Sequence, residues 1–270
     1  MSESLRKRVA TAAVLIALLL AVLFWLPAVA TIAVLTFVVL MGAWEWSAFL
    51  KWADPRARGA FVALVAVLLP VSWVITRTQE GLEALLGVAL LWWLFALVWI
   101  IVAPRRVSPW SAGLAGLLSL VPAWLTLTRL RLEPLHGAEW VLFALVLVWM
   151  ADIGAYFCGR RFGRRRLAPV VSPGKTWEGA LGGLCASGIV AVAGGMWFRL
   201  PLDQFLALCL AAVAFSIVGD LTESLLKRFA GMKDSGTLFP GHGGVMDRID
   251  SVTGAAPVLL LGLTFLGVLP

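Results

Sequence analysis

Long apolar runs dominate this chain, and short polar segments separate them. The runs lie at about 9–26, 28–50, 60–75, 82–103, 110–127, 140–159, 179–198, 202–226 and 251–269. A helix needs about 20 mainly apolar residues to cross the hydrocarbon core of a bilayer. The runs are too long and too continuously apolar for barrel strands. An open backbone edge finds no hydrogen-bond partner in lipid, so the runs are read as helices. The pattern predicts an all-α, polytopic integral membrane protein with about nine transmembrane helices. Only "WLP", a tight turn, splits the first two, and the third is short. Eight spans result if one run lies along the surface or re-enters the membrane.

Composition agrees. Hydrophobic residues make up 61% of 270 positions and charged residues 14%, against nearer half and a quarter in soluble domains. The 14 Trp residues suit membrane interfaces. These figures set aside a soluble multidomain protein. The net charge of +7 raises nucleic acid as a partner. The basic residues lie between apolar blocks, however, so no nucleic-acid partner is expected. The first run follows Arg6, Lys7 and Arg8 like a signal peptide, yet it continues into a second run without a clear cleavage site. A retained anchor is expected. Cys158, Cys185 and Cys209 are isolated in apolar surroundings and read as packing residues, with no disulfide framework or zinc site.

Charge sets the expected orientation. With a cytoplasmic N-terminus and nine alternating spans, Arg77, Arg129, Arg131 and Arg199 alone, of 22 Lys and Arg residues, face the other side. That is a positive-inside pattern. The two richest polar loops, 160–178 and 227–250, then share the cytoplasmic side. The chain reads as one membrane-embedded domain, 1–270. Residues 1–135 are mainly architectural helices, and 136–270 carry the candidate site.

The eighth run contains Ser216, Asp220, Glu223 and Lys227, spaced by four, three and four. Helical geometry puts them on one face. Membrane-embedded charge is costly unless paired, metal-bound or hydrated. An ion-pair network is one reading; a hydrated ligand-binding face is favoured by the loop that follows. That loop adds Lys233, Asp234, His242, Asp247, Arg248 and Asp250. Asp247 and Asp250 share a face if helical, and with Asp220 their oxygens suit Mg²⁺. Asp234 either binds metal through water or holds the loop. With His136 the only other histidine, His242 gives zinc little support; it can orient an acid or contact phosphate. In "PGHGG", Gly243 and Gly244 let a bulky ligand approach and expose N–H groups to phosphate. Arg228 and Arg248 can clamp phosphate or steady carboxylates. Ser216 and Ser224 are further polar contacts. Asp152 shares a face with Tyr156; metal binding, lysine pairing and a structural network are all open to it. Glu45, near a span end, is expected to meet water and is left outside the site.

The loop "RRFGRRRLAPVVSPGKTWEGALGG" holds Arg160 to Arg166, which suit contact with anionic lipid. Ser172 is read as a helix cap and Pro173 as the opening of a helical turn. Lys175 and Thr176 then face an anion. "GKT" invites a P-loop reading. That motif needs glycine where Pro169 stands and a preceding strand, which is not expected. Small residues recur in "EGALGGLCASGIVAVAGG" and predict close helix contact.

These segments resemble a known family. "SLLKRFAGMKDSGTLFPGHGGVMDRID", Ser224 to Asp250, is similar to the long C-terminal signature of phosphatidate cytidylyltransferases, or CDP-diacylglycerol synthases. The spacing of Ser224, Lys227, Arg228, Lys233, Asp234, Gly236, His242, Gly243, Gly244, Asp247, Arg248 and Asp250 fits it. "SPGKTWEG" resembles a second recurrent segment, and Asp152 falls in a family-like acidic span. The resemblance implies an enzyme that transfers the cytidylyl group of CTP to phosphatidate. The products would be CDP-diacylglycerol, for bacterial phospholipid synthesis, and pyrophosphate. It implies Mg²⁺ with K⁺ beside it, a homodimer, and a multi-pass place in the bacterial inner membrane with the site facing the cytoplasm. It also implies Asp220 and Asp247 near the catalytic metal, with Asp250, Glu223 and Lys227 in the polar pocket. A transporter is the alternative from another class, but no paired broken-helix repeat is clear. A nucleotidyltransferase using a different lipid phosphate or alcohol is another enzyme alternative.

Overall fold

The computed structural model describes residues 3–52, 54–236 and 243–269, without the side chains of residues 3–12. Six helices come first: α1 (Glu3–Phe24), α2 (Ala28–Trp46), α3 (Pro55–Ile75), α4 (Gln79–Val102), α5 (Pro109–Arg131) and α6 (Gly137–Phe162). A hairpin of β1 (Arg166–Ala168) and β2 (Ser172–Thr176) follows, then α7 (Trp177–Trp197), α8 (Leu202–Ala230) and α9 (Met246–Phe265). Among the described residues, eight helices, α2 to α9, are long and apolar enough to cross a membrane. The described apolar part of α1 is Ala13–Phe24.

Local chemistry explains the helix starts. The Asp54 side chain accepts from Arg56 N at 2.8 Å, with Pro55 in the first helical position of α3. The third span is therefore longer than its apolar run, because capping begins it ahead of residue 60. Ser108 and Ser111 form a capping box at α5. Gly231, at φ +73°, closes α8 in the left-handed region that glycine tolerates.

Helices α5 and α9 are the most enclosed. The outer helices expose apolar surface: on α4, Leu91, Phe95, Val98 and Ile101 all face outward. Such a stripe is suited to lipid. At the other end of the bundle from the hairpin, arginines are engaged inside the protein. Arg129 stacks over Trp73 and bonds the Thr76 carbonyl. Arg131 reaches the carbonyls of Leu23 and Leu26 at 3.4 and 3.2 Å, across the α1–α2 turn.

Two close helix pairs place the site. A Cβ on Gly154 of α6 would lie 2.6 Å from Ala186 Cβ of α7, and one on Gly183 would lie 2.7 Å from Ala151 O. A Cβ on Gly219 of α8 would lie 2.6 Å from Asp250 O of α9. Small residues let these backbones touch. The second contact sets Asp220 beside the acidic start of α9.

The 160–178 loop departs from expectation. Its second half is a strand, antiparallel to β1, with Arg166 opposite Thr176 and Ala168 opposite Ser172. Ser172 does not cap a helix, and Pro173 opens none. Thr176 caps α7 instead, accepting from Gly179 N at 3.1 Å. The reason is pairing: the Arg166–Ala168 backbone supplies partners that periodicity alone could not reveal. A strand therefore does precede the "GKT" helix, but it belongs to a short antiparallel hairpin, and Pro169 still breaks the P-loop pattern.

Candidate active site

The site begins where α6, the hairpin, α7 and α8 meet. They enclose a cavity of about 540 Å³. Ala151, Ala155, Gly159, Gly179, Ala180 and Gly183 form much of its wall, so small side chains create the space. Asp152, Tyr156, Lys175, Thr176 and Asp220 contribute polar groups. Lys175 Nζ lies 2.5 Å from Asp220 Oδ2, and Ser224 Oγ donates to Asp220 Oδ1 at 3.3 Å. Asp152 and Tyr156 line the same cavity, as their spacing on α6 requires.

The acids continue away from the cavity as a row. Asp220 interacts electrostatically with Asp152 on one side and Asp250 on the other. Asp250, buried on α9, faces Glu223, buried on α8. Lys227 Nζ then joins Glu223 Oε2 at 2.6 Å to Asp247 Oδ1 at 2.7 Å. Asp247 is thus tied to the row through a lysine. Its other oxygen, Oδ2, accepts from Ser235 N at 3.0 Å, Ser235 Oγ at 2.9 Å and Gly244 N at 2.8 Å. A Cβ on Gly243, at φ +78°, would lie 2.5 Å from Asp247 Oδ2. Glycine is required there on both counts.

The remaining predicted residues divide. Ser216 is buried and donates to Val213 O at 2.7 Å, within its own helix. Arg228 turns away from the main cavity: its Nε meets Val171 O at 3.4 Å, and it lines a separate cavity of about 370 Å³ with Arg105. Lys233 and Asp234 are exposed. Arg248 interacts electrostatically with Asp152. Ser172 is half-buried in β2. His242 lies outside the described residues.

Glu45 corrects an expectation. It does not meet water; it is 7% exposed and accepts from Val245 N at 3.0 Å, Met246 N at 2.8 Å and Ser235 Oγ at 3.1 Å. Its signal was present: a lone acid inside an apolar run is a functional candidate by default. Its partners, 190 and more positions away in sequence, were not legible.

The donor set suits a hard cation in one respect and not in another. Facing carboxyls at Glu223 and Asp250, beside Asp220, crowd negative charge into a buried place that a cation relieves. Yet among the described residues no three acids are arranged to hold one ion. The six predicted acids do not form one cage, because lysines and backbone N–H groups take several of their oxygens. Mg²⁺ commonly uses one or two carboxylates and completes its shell with water and phosphate. Asp152 and Asp220 on the cavity wall fit that lesser demand.

A nearly all-α bundle of membrane-length helices, with an acid–lysine row beside a cavity between α6, the hairpin, α7 and α8, places the chain among polytopic membrane proteins with a buried polar site. The chain belongs to the cytidylyltransferase family, whose model matches residues 6–266. It is 40% identical over 278 residues to a phosphatidate cytidylyltransferase of Haemophilus influenzae, covering 94% of this chain and 96% of that one. It is 44% identical over 262 residues to one of Pseudomonas aeruginosa, covering 94% and 95%. A Staphylococcus epidermidis phosphatidate cytidylyltransferase is 34% identical over 203 residues, covering 73% and 75%.

Proposed function

We propose that this protein transfers the cytidylyl group of CTP to phosphatidate, forming CDP-diacylglycerol and releasing pyrophosphate. The observation that carries the reading is the contact between Lys175 and Asp220. It joins the "SPGKTWEG" segment to the acidic helix in one cavity. Full-length similarity to phosphatidate cytidylyltransferases supports the substrates.

A phosphate oxygen of phosphatidate attacks the α-phosphorus of CTP. The bond from that phosphorus to the bridging oxygen breaks, and pyrophosphate leaves with its electron pair. The attacking oxygen is already anionic, so no strong general base is needed. Repulsion and alignment make the barrier. Lys175 is placed to leave Asp220 and meet an incoming phosphate, while Lys227 steadies Glu223 and Asp247. Thr176 and the exposed Lys233 extend the polar surface. Mg²⁺ would be held by Asp220 and Asp152 on the cavity wall; Asp250, Glu223 and Asp247 would act from farther along the row and Asp234 from the exposed loop, and K⁺ would be a second cation. When bound, Mg²⁺ neutralises charge on the reacting phosphate oxygens.

The acyl chains stay in lipid while the headgroup enters the cavity, and basic loops draw CTP. The reading includes an inner-membrane location, a cytoplasmic site supported by the asymmetry of Lys and Arg, and a homodimer, which rests on the sequence resemblance. Purified protein incubated with radiolabelled CTP, phosphatidate and Mg²⁺ should yield labelled CDP-diacylglycerol and pyrophosphate. Labelling of a different lipid phosphate in preference would overturn the choice of substrate.

A further inference from the structure

Glu45 lies in the last turn of α2, inside an apolar run, yet it reaches the start of α9. The first turn of a helix leaves N–H groups without intrahelical partners. Val245 supplies no side-chain cap to α9. Glu45 provides one from another helix, with Oε1 on Val245 N and Oε2 on Met246 N. A carboxylate is the favoured charge at that position. Its Oε2 also lies 3.1 Å from Ser235 Oγ, which lies 2.9 Å from Asp247 Oδ2. A serine hydroxyl has one proton, so two carboxylates share a single donor. The seat is close-fitting: a Cβ on Gly236 or Gly244 would strike the Glu45 carboxylate.

We propose that Glu45 is a positioning residue for the transfer reaction. It anchors Val245, Met246 and Ser235, and through them sets the direction of Asp247. When Asp247 turns toward a ligand, the Ser235 hydroxyl passes to Glu45, and Ser235 and the start of α9 keep their places. The inference rests on the cytidylyl-transfer reading for its kinetic arm only.

The test compares the parent, Glu45→Gln, Ser235→Ala and the double variant, all purified and matched for melting behaviour. Glutamine leaves an N–H₂ group facing donors, so kcat should fall about 10-fold or more while KM for CTP stays within about two-fold. The double variant should be no slower than the slower single one, because both act through one contact. Hydrogen exchange should quicken at residues 243–250 and stay unchanged in α5. Glu45→Asp, which keeps the carboxylate, should recover part of the rate. Unchanged kcat in folded Glu45→Gln, or losses that multiply in the double variant, would overturn the proposal. If Glu45→Gln does not fold, Gly236→Ala displaces the carboxylate instead, and parental turnover there would overturn it equally. A parent that makes no CDP-diacylglycerol defeats the functional reading. The exchange arm still decides this inference, because unchanged protection at 243–250 rejects it.

Discussion

Lys175 reaches Asp220 across the cavity, with Nζ 2.5 Å from Oδ2. The pair joins a strand end to the middle of a long helix. It also leaves each partner available to a ligand of opposite charge. Replacing Lys175 with Ala should lower kcat/KM about 10-fold or more, as expected when a charged hydrogen bond worth roughly 1.5–3 kcal/mol is lost. Initial rates against CTP and phosphatidate check this, and parental kinetics for both substrates would remove Lys175 from the site.

Asp220→Asn and Asp247→Asn keep side-chain size and remove charge. Each should cut CDP-diacylglycerol formation about 100-fold or more, the scale seen when a group stabilising the transition state is removed. The comparison needs variants with matched size-exclusion profiles. Near-parental turnover in both would show that the acidic row is structural.

Lys227 holds two carboxylates with a side chain only 13% exposed. Lys227→Met leaves Glu223 and Asp247 without it, and breaking a buried pair this way costs about 3–5 kcal/mol. Thermal melting in detergent should show a clear drop. Adding Glu223→Gln should restore part of it, and a double variant no more stable than Lys227→Met would argue against the pairing.

Packing gives an independent check. Gly219→Ala places a Cβ 2.6 Å from Asp250 O, so the α8–α9 pair must part, at a cost of about 1–3 kcal/mol. Gly87→Ala, with nothing within 4 Å of its new Cβ, should be neutral or stabilise by up to about 1 kcal/mol. Equal melting temperatures for the two variants would contradict the close approach of α8 and α9.

Much of the fold was legible because lipid imposes a simple demand. Apolar runs of sufficient length must satisfy their own backbone, and helices do so. The spacing of Asp220, Glu223 and Lys227 was readable for the same reason, since one helix supplies its own geometry. Asp247 and Asp250 also fall in the first turns of α9, as their spacing suggested. The hairpin was hidden because strand pairing depends on a partner elsewhere. Arg228 was grouped with the main site by its neighbours in sequence, but adjacent residues on a helix point about 100° apart.

The sequence by itself determined the long apolar helices and the set of acids and lysines available for phosphate chemistry. These follow from local periodicity and from hydrophobic transfer, which act along the chain. Only the tertiary structure decided that Lys175 meets Asp220, that Lys227 bridges Glu223 and Asp247, and that Glu45 caps α9. Those outcomes depend on which small residues let helices close on one another, and that is a property of facing surfaces rather than of either segment alone.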